Sequence, residues 1–158
     1  MTVTNKDGAH VRFPPPLVFL GAILLGVIIQ RMATPLALSV GAGLRVAAGV
    51  LILVCGVSLI FSARIFFTRT GQSPIPWKPT PELILRGPYR FTRNPMYVGA
   101  TLFVIGLGLA LNNLWISLFA APALLAVHFI AVLPEERYLN EKFGESYRSF
   151  LARVRRYL

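Results

Sequence analysis

The chain is poor in charge. Only 14% of its 158 residues are Asp, Glu, Lys or Arg, where a soluble domain carries roughly 25%. That deficit excludes a disordered tail and argues against an ordinary cytosolic globule. Cysteine is nearly absent: Cys55 has no partner, which excludes a disulfide-stapled secreted module and leaves the redox compartment undetermined. Histidine is scarce as well. His10 and His128 have no cysteine or carboxylate set at ligand spacing, so no metal is expected. Acidic residues number 6 against 16 basic ones, for a formal net charge of +10. A nucleic-acid binder gathers such an excess on one folded polar face. Here the basic residues fall between hydrophobic segments, the pattern that orients membrane proteins, so no nucleic-acid partner is expected.

What fills the chain instead is apolar: 55% of residues are hydrophobic and the mean hydropathy is +0.64. Four spans of about 20 residues would use about 80 positions. Four apolar runs fit that arithmetic, near residues 17–32, 44–67, 96–111 and 114–133. The first follows Pro14-Pro15-Pro16 and has the length of a secretory signal. No small-x-small cleavage pattern follows it promptly, however, and another apolar run does. The third reaches only about 24 Å at 1.5 Å per residue, so its start belongs at the membrane interface. Only Asn112 and Asn113 separate the third and fourth runs, which predicts a tight antiparallel hairpin.

Four spans place both termini on one side. Lys6, Arg12, Arg64, Arg69, Lys78, Arg86, Arg90, Arg93, Arg137, Lys142, Arg148, Arg153, Arg155 and Arg156 share that side, and only Arg31 and Arg45 lie opposite. All acidic residues join the majority. The bias assigns both termini, and any chemistry, to the cytoplasm. Two polar segments remain there. The linker from Thr68 to Pro95 holds six prolines, which forbid a long regular helix, and it is too long for a mere connector. The tail repeats Leu139, Phe143, Tyr147, Phe150, Leu151 and Val154 at helical spacing, with basic residues between them. This predicts an amphipathic helix on the inner leaflet or under the bundle, where it could also serve as a plain basic anchor. The expected fold is therefore all-α: an integral membrane protein of about four spans, forming one domain over 1–158, with a structured linker and an amphipathic C-terminal helix.

Three features could carry chemistry. Between Arg86 and Gly99 the chain sets three guanidiniums and two phenols before a span, bracketed by Gly87-Pro88 and Asn94-Pro95. Arginine suits a carboxylate or phosphate held in a bidentate fork, although interfacial Arg and Tyr also serve orientation alone. Glu135-Glu136 follows the fourth run directly. Half-burying two carboxylates there is costly without partners, which would be the linker arginines or ribose hydroxyls. His128, seven residues before Glu135, projects from the same face of a regular helix and is a candidate base or a packing residue. Gly106-Leu107-Gly108 sits mid-span, where small residues serve close helix packing or leave a slot for a ligand.

Taken together, Gly87-Pro88-Tyr89-Arg90 followed by Arg93-Asn94-Pro95-Met96-Tyr97-Val98-Gly99 resembles the signature of the integral-membrane isoprenylcysteine carboxyl methyltransferases and phospholipid methyltransferases. The downstream order agrees: a two-span hairpin, Glu135-Glu136, then Leu139, Phe143-Gly144, Tyr147 and Phe150. The likeness covers roughly residues 74–155. It implies S-adenosylmethionine as cofactor, bound in a cytoplasm-facing pocket, with a lipid-like or small hydrophobic acceptor entering from the bilayer. Carried over by position, the cofactor contacts are Leu83, Ile84, Tyr89, Asn94, Pro95, Met96, Tyr97 and Glu135. The phospholipid branch adds Gly106, Gly108 and Glu136. Arg90 or Arg93 would pair with the methionine carboxylate, and the linker from Pro74 to Arg93 would fold over the cofactor.

Two departures bear on these roles. Most relatives carry His where this chain has Asn94, and an amide binds but is no base at neutral pH. The isoprenylcysteine enzymes place a substrate-binding arginine where this chain has Ala131. His128, one turn deeper, is where a base would stand, which suits an amine or thiol acceptor better than a carboxylate. Phospholipid amine N-methylation is one alternative, and a catalytically silent membrane scaffold of the same fold is another. The lack of long extramembrane domains and targeting signals points to a bacterial or archaeal plasma membrane.

Overall fold

The computed structural model describes residues 8, 9, 11, 13–71, 78 and 80–158. Lys6, Asp7, His10, Arg12 and the linker residues Pro74, Pro76 and Pro79 lie outside them. Six α-helices account for the bundle: α1 (Pro15–Met32), α2 (Ala42–Arg69), α3 (Pro95–Ala110), α4 (Leu114–Val127), α5 (Leu133–Phe143) and α6 (Glu145–Arg153). No strand occurs among the described residues. α1 and α2 are each long and apolar enough to cross a membrane, as is the continuous run from α4 through α5, and α3 is a shorter apolar helix. The chain is thus an all-helical integral membrane protein, and its apolar helices contact lipid. Large hydrophobic side chains such as Leu24, Leu51, Phe61, Leu118 and Leu125 remain exposed on the outside of the bundle, where hydrocarbon rather than water meets them.

The interior is built from small and β-branched residues. Phe19 and Ala22 of α1 pack with Val104 of α3 and with Ile116, Ala120, Ala123 and Val127 of α4. α2 and α3 approach through glycine. A Cβ at Gly106 would stand 2.5 Å from Leu53 N and 2.6 Å from Gly49 O, and one at Gly99 would stand 2.7 Å from Gly56 O. Without side chains there, two backbones come close enough for dispersion contacts to replace the hydrophobic drive that lipid removes.

The α3–α4 hairpin forms as its two asparagines dictate. Asn112 takes a positive φ of 53°, which Asn tolerates better than most residues. Asn113 caps α4, its side chain accepting from Ile116 N, while its amide nitrogen donates to Gly26 O at 3.1 Å. Arg45, one of two basic residues at this end, donates to Leu109 O at 2.8 Å and Ala110 O at 2.6 Å. It therefore satisfies carbonyls left open at the end of α3.

The fourth apolar run does not stop where its hydrophobicity does. α4 passes through a wide π turn, His128–Val132, into the polar α5. Pro134 stands just beyond that turn. Its ring has no N–H and would clash with the carbonyl four residues earlier, and a locally widened helix accommodates this. The tail is also two helices rather than one. Gly144, at φ 52°, ends α5 and redirects α6, which buries Tyr147 and Phe150.

Candidate functional site

The signature residues fold as a tight unit before α3. Gly87 adopts φ 60° and lies against the Phe66 ring, which leaves no room for a side chain. Gly87–Arg90 makes one 3-10 turn that buries Pro88 and Tyr89. The Tyr89 ring meets Phe67 of α2 edge-on, with centroids 5.7 Å apart. Phe91 N and Thr92 N both donate to Pro88 O, at 3.1 and 3.2 Å. Asn94 N then donates to Thr92 Oγ1 at 3.2 Å. Pro95, fixed in φ and lacking an N–H, opens α3 at the position where neither is a cost.

This unit faces the polar end of the fourth helical run. Tyr97 donates to Glu135 Oε1 at 2.6 Å. Arg93 Nη1 donates to Glu136 Oε1 at 2.9 Å. From beyond α6, Arg156 reaches the same carboxylate twice, Nε to Oε1 at 2.8 Å and Nη2 to Oε2 at 2.8 Å. The linker is tied across by Thr80 N, which donates to Tyr138 OH at 3.2 Å. Between these groups lies a cavity of about 900 Å3, including its open mouth. Leu83, Ile84, Tyr89, Arg93, Asn94, Pro95, Met96, Tyr97, Glu135 and Glu136 all line it, joined by Phe67, Thr80, Glu82, Tyr138, Leu139, Tyr147 and Phe150.

The two glutamates differ in their surroundings. Glu136 accepts three guanidinium bonds, whereas among the described residues Glu135 has only the Tyr97 hydroxyl and its Oε2 accepts nothing. Burial, and secondarily Glu135, raises Tyr89 well above the phenol range, so it stays protonated as a donor. Arg93 Nε is buried without a hydrogen-bond partner among the described residues. Two guanidiniums share one carboxylate here, so Arg93 and Arg156 leave a net positive charge at the wall.

Four expected site residues stand apart from this cavity. Arg90 is solvent-exposed. Gly106 is packed against α2, and a Cβ at Gly108 would collide with Ser117 and its backbone, so both glycines serve helix contacts. His128 Nδ1 is 2.9 Å from Tyr157 OH. The π turn interrupts the seven-residue spacing that puts His128 and Glu135 on one face of a regular helix. Arg156 carried no sequence signal, being one of several basic residues in the tail.

A family model described as phospholipid methyltransferase matches residues 44–146, more than half of the chain. The chain belongs to the phospholipid methyltransferase family. The match takes in α2 from Leu44 onward, the 3-10 turn, the α3–α4 hairpin and both glutamates. No curated protein and no solved structure matches. The cavity therefore sits within the matched region of a membrane protein from a methyltransferase family, apart from its lining residues Ala9, Tyr147 and Phe150.

Proposed function

We propose that this protein is an S-adenosylmethionine-dependent methyltransferase that acts on a lipid-like or small hydrophobic acceptor. One observation carries this. The polar cavity and a separate apolar groove share a wall made of Met96 and Tyr97. The groove, about 1150 Å3 with its open side, runs between α1, α2 and α3 and is lined by Phe19, Ile23, Ile60, Phe61, Ala100 and Phe103, among others. A charged, water-facing ligand on one side of Tyr97 and a hydrocarbon chain on the other would meet at that residue.

The residues present fit the cofactor. Glu135 Oε2 is free to accept both hydroxyls of a ribose, and Arg93, with charge left over from Glu136, can face a carboxylate. Tyr89 and Tyr97 offer aromatic faces to a purine or a sulfonium cation. Asn94 adds an amide, and Leu83 and Ile84 add apolar walls. When bound, S-adenosylmethionine supplies a methyl group already activated by its sulfonium. The chain's part is then to align the acceptor with that carbon and to exclude water, which Met96, Tyr97 and the linker tied to Tyr138 are placed to do. His128 stands deeper, outside both cavities, as a candidate base for an acceptor that must lose a proton. The cytoplasm is the expected side for the polar cavity, in a bacterial or archaeal plasma membrane.

Calorimetric titration of S-adenosylhomocysteine into the detergent-purified protein tests this. Micromolar binding is expected, weakened at least tenfold in Glu135→Ala, about 1.4 kcal/mol. A well-folded wild-type protein that binds none would refute the proposal and leave a membrane scaffold of the same fold.

A further inference from the structure

Residues Val154–Tyr157 leave α6 as a non-helical segment bent at Val154 and Arg156, with Val154 at φ −124° and ψ 129°, and run beside the signature. The contacts of Arg155 and Arg156 in this strap land on residues of the candidate site or beside it. Arg155 O accepts from Arg93 N at 2.9 Å. Arg156 O accepts from Thr92 Oγ1 at 3.1 Å and from Asn94 Nδ2 at 3.0 Å. The Arg156 side chain grips both oxygens of Glu136, and that grip holds the guanidinium above its ordinary pKa. Tyr157 OH meets His128 Nδ1.

We propose that this strap is a positioning element of the cofactor site, with Arg156 as its principal residue and Glu136 as its receptor rather than a ligand of the cofactor. The inference rests on the methyltransferase reading given above. Its physical basis is a count of partners. Three of about four acceptor directions of Glu136 are already taken by Arg93 and Arg156, so it could hold both hydroxyls of a ribose only by giving up a charge-assisted bond. Glu135, by contrast, has a free oxygen and lies on the adjacent helical position. Asn94 is oriented by the same strap. A carbonyl can only accept, so the Arg156 carbonyl fixes the amide with Nδ2 toward the strap and leaves Oδ1 available to a donor on the ligand. The adjacent acids thus divide their work: Glu135 toward the ligand, Glu136 toward the frame that holds Arg93 and Asn94 in place.

A double-mutant cycle on S-adenosylhomocysteine affinity tests this, using the full-length protein in detergent with Arg156→Gln, Glu136→Gln and the double variant. If the two residues act only through each other, each single variant and the double weaken binding by the same factor, about tenfold. Arg156→Lys keeps the charge but not the two-point grip, and it is expected to recover part of the affinity without a change in thermal midpoint. This variant also carries the test if Arg156→Gln does not fold. Factors that multiply in the double variant would overturn the proposal, because Glu136 would then touch the ligand on its own account. Wild-type affinity in Arg156→Gln or Arg156→Lys would overturn it too. Wild-type protein that binds no S-adenosylhomocysteine would overturn the methyltransferase reading and the strap together, whereas binding by wild type confines any failure to the strap.

Discussion

Replacing Gly106 with alanine separates two roles for the mid-span glycines, and the structure sets the size of the effect. The new Cβ would stand 2.5 Å from Leu53 N and 2.6 Å from Gly49 O, about 1 Å short of ordinary contact. Both obstacles are backbone atoms of α2, so no side chain can swing away and the helices must part. Overpacking of this kind costs typically 1–3 kcal/mol, offset by about 1 kcal/mol of helix propensity gained over glycine. A net loss of up to about 2 kcal/mol is therefore expected, read as a lower midpoint in thermal unfolding of the detergent-solubilised protein. Gly21→Ala in α1 is the control. Nothing lies within 4 Å of its Cβ, so stability should hold or rise. Gly106 is about 14 Å along α3 from Tyr97 at 1.5 Å per residue. Affinity of the folded protein for S-adenosylhomocysteine should accordingly be unchanged in Gly106→Ala. Lost affinity with an unmoved midpoint would refute this reasoning and return the glycine to the ligand set.

Further outcomes follow from the same geometry. Tyr97→Phe removes the only donor to Glu135 among the described residues. Losing the hydrogen bond that orients this carboxylate should weaken S-adenosylhomocysteine binding several-fold, about 1 kcal/mol, and unchanged affinity would count against it. Arg45→Ala should lower stability by about 1.5–3 kcal/mol through two lost charge-assisted bonds, without changing ligand affinity. Backbone amides from Thr80 to Arg93 should gain protection from hydrogen exchange when S-adenosylhomocysteine is added. Unchanged exchange there would remove the linker from the site.

What could be read in the sequence follows the range of the interaction that determines it. Apolar runs, the Asn112-Asn113 hairpin and the proline at the head of α3 are local, and each appears in the structure near its expected place. The residues gathered by the Gly87–Gly99 signature and the glutamate pair converge because the hairpin between them is short, which brings the start of α3 beside the start of α5. Periodicity failed where one residue changes the backbone. Gly144 divides a tail that reads as one helix, and the π turn before Pro134 spoils the alignment of His128 with Glu135. The strap was the least legible element. Nothing in Arg155-Arg156-Tyr157 marks one arginine as a two-point partner of Glu136 and its neighbour as exposed. That difference exists only once α6 has folded back, when the Arg155 and Arg156 carbonyls find donors at Thr92, Arg93 and Asn94. The carbonyls fix the path of the strap, and the path selects which guanidinium reaches the carboxylate. A tail that reads as generally basic thereby supplies one specific counter-charge to the site.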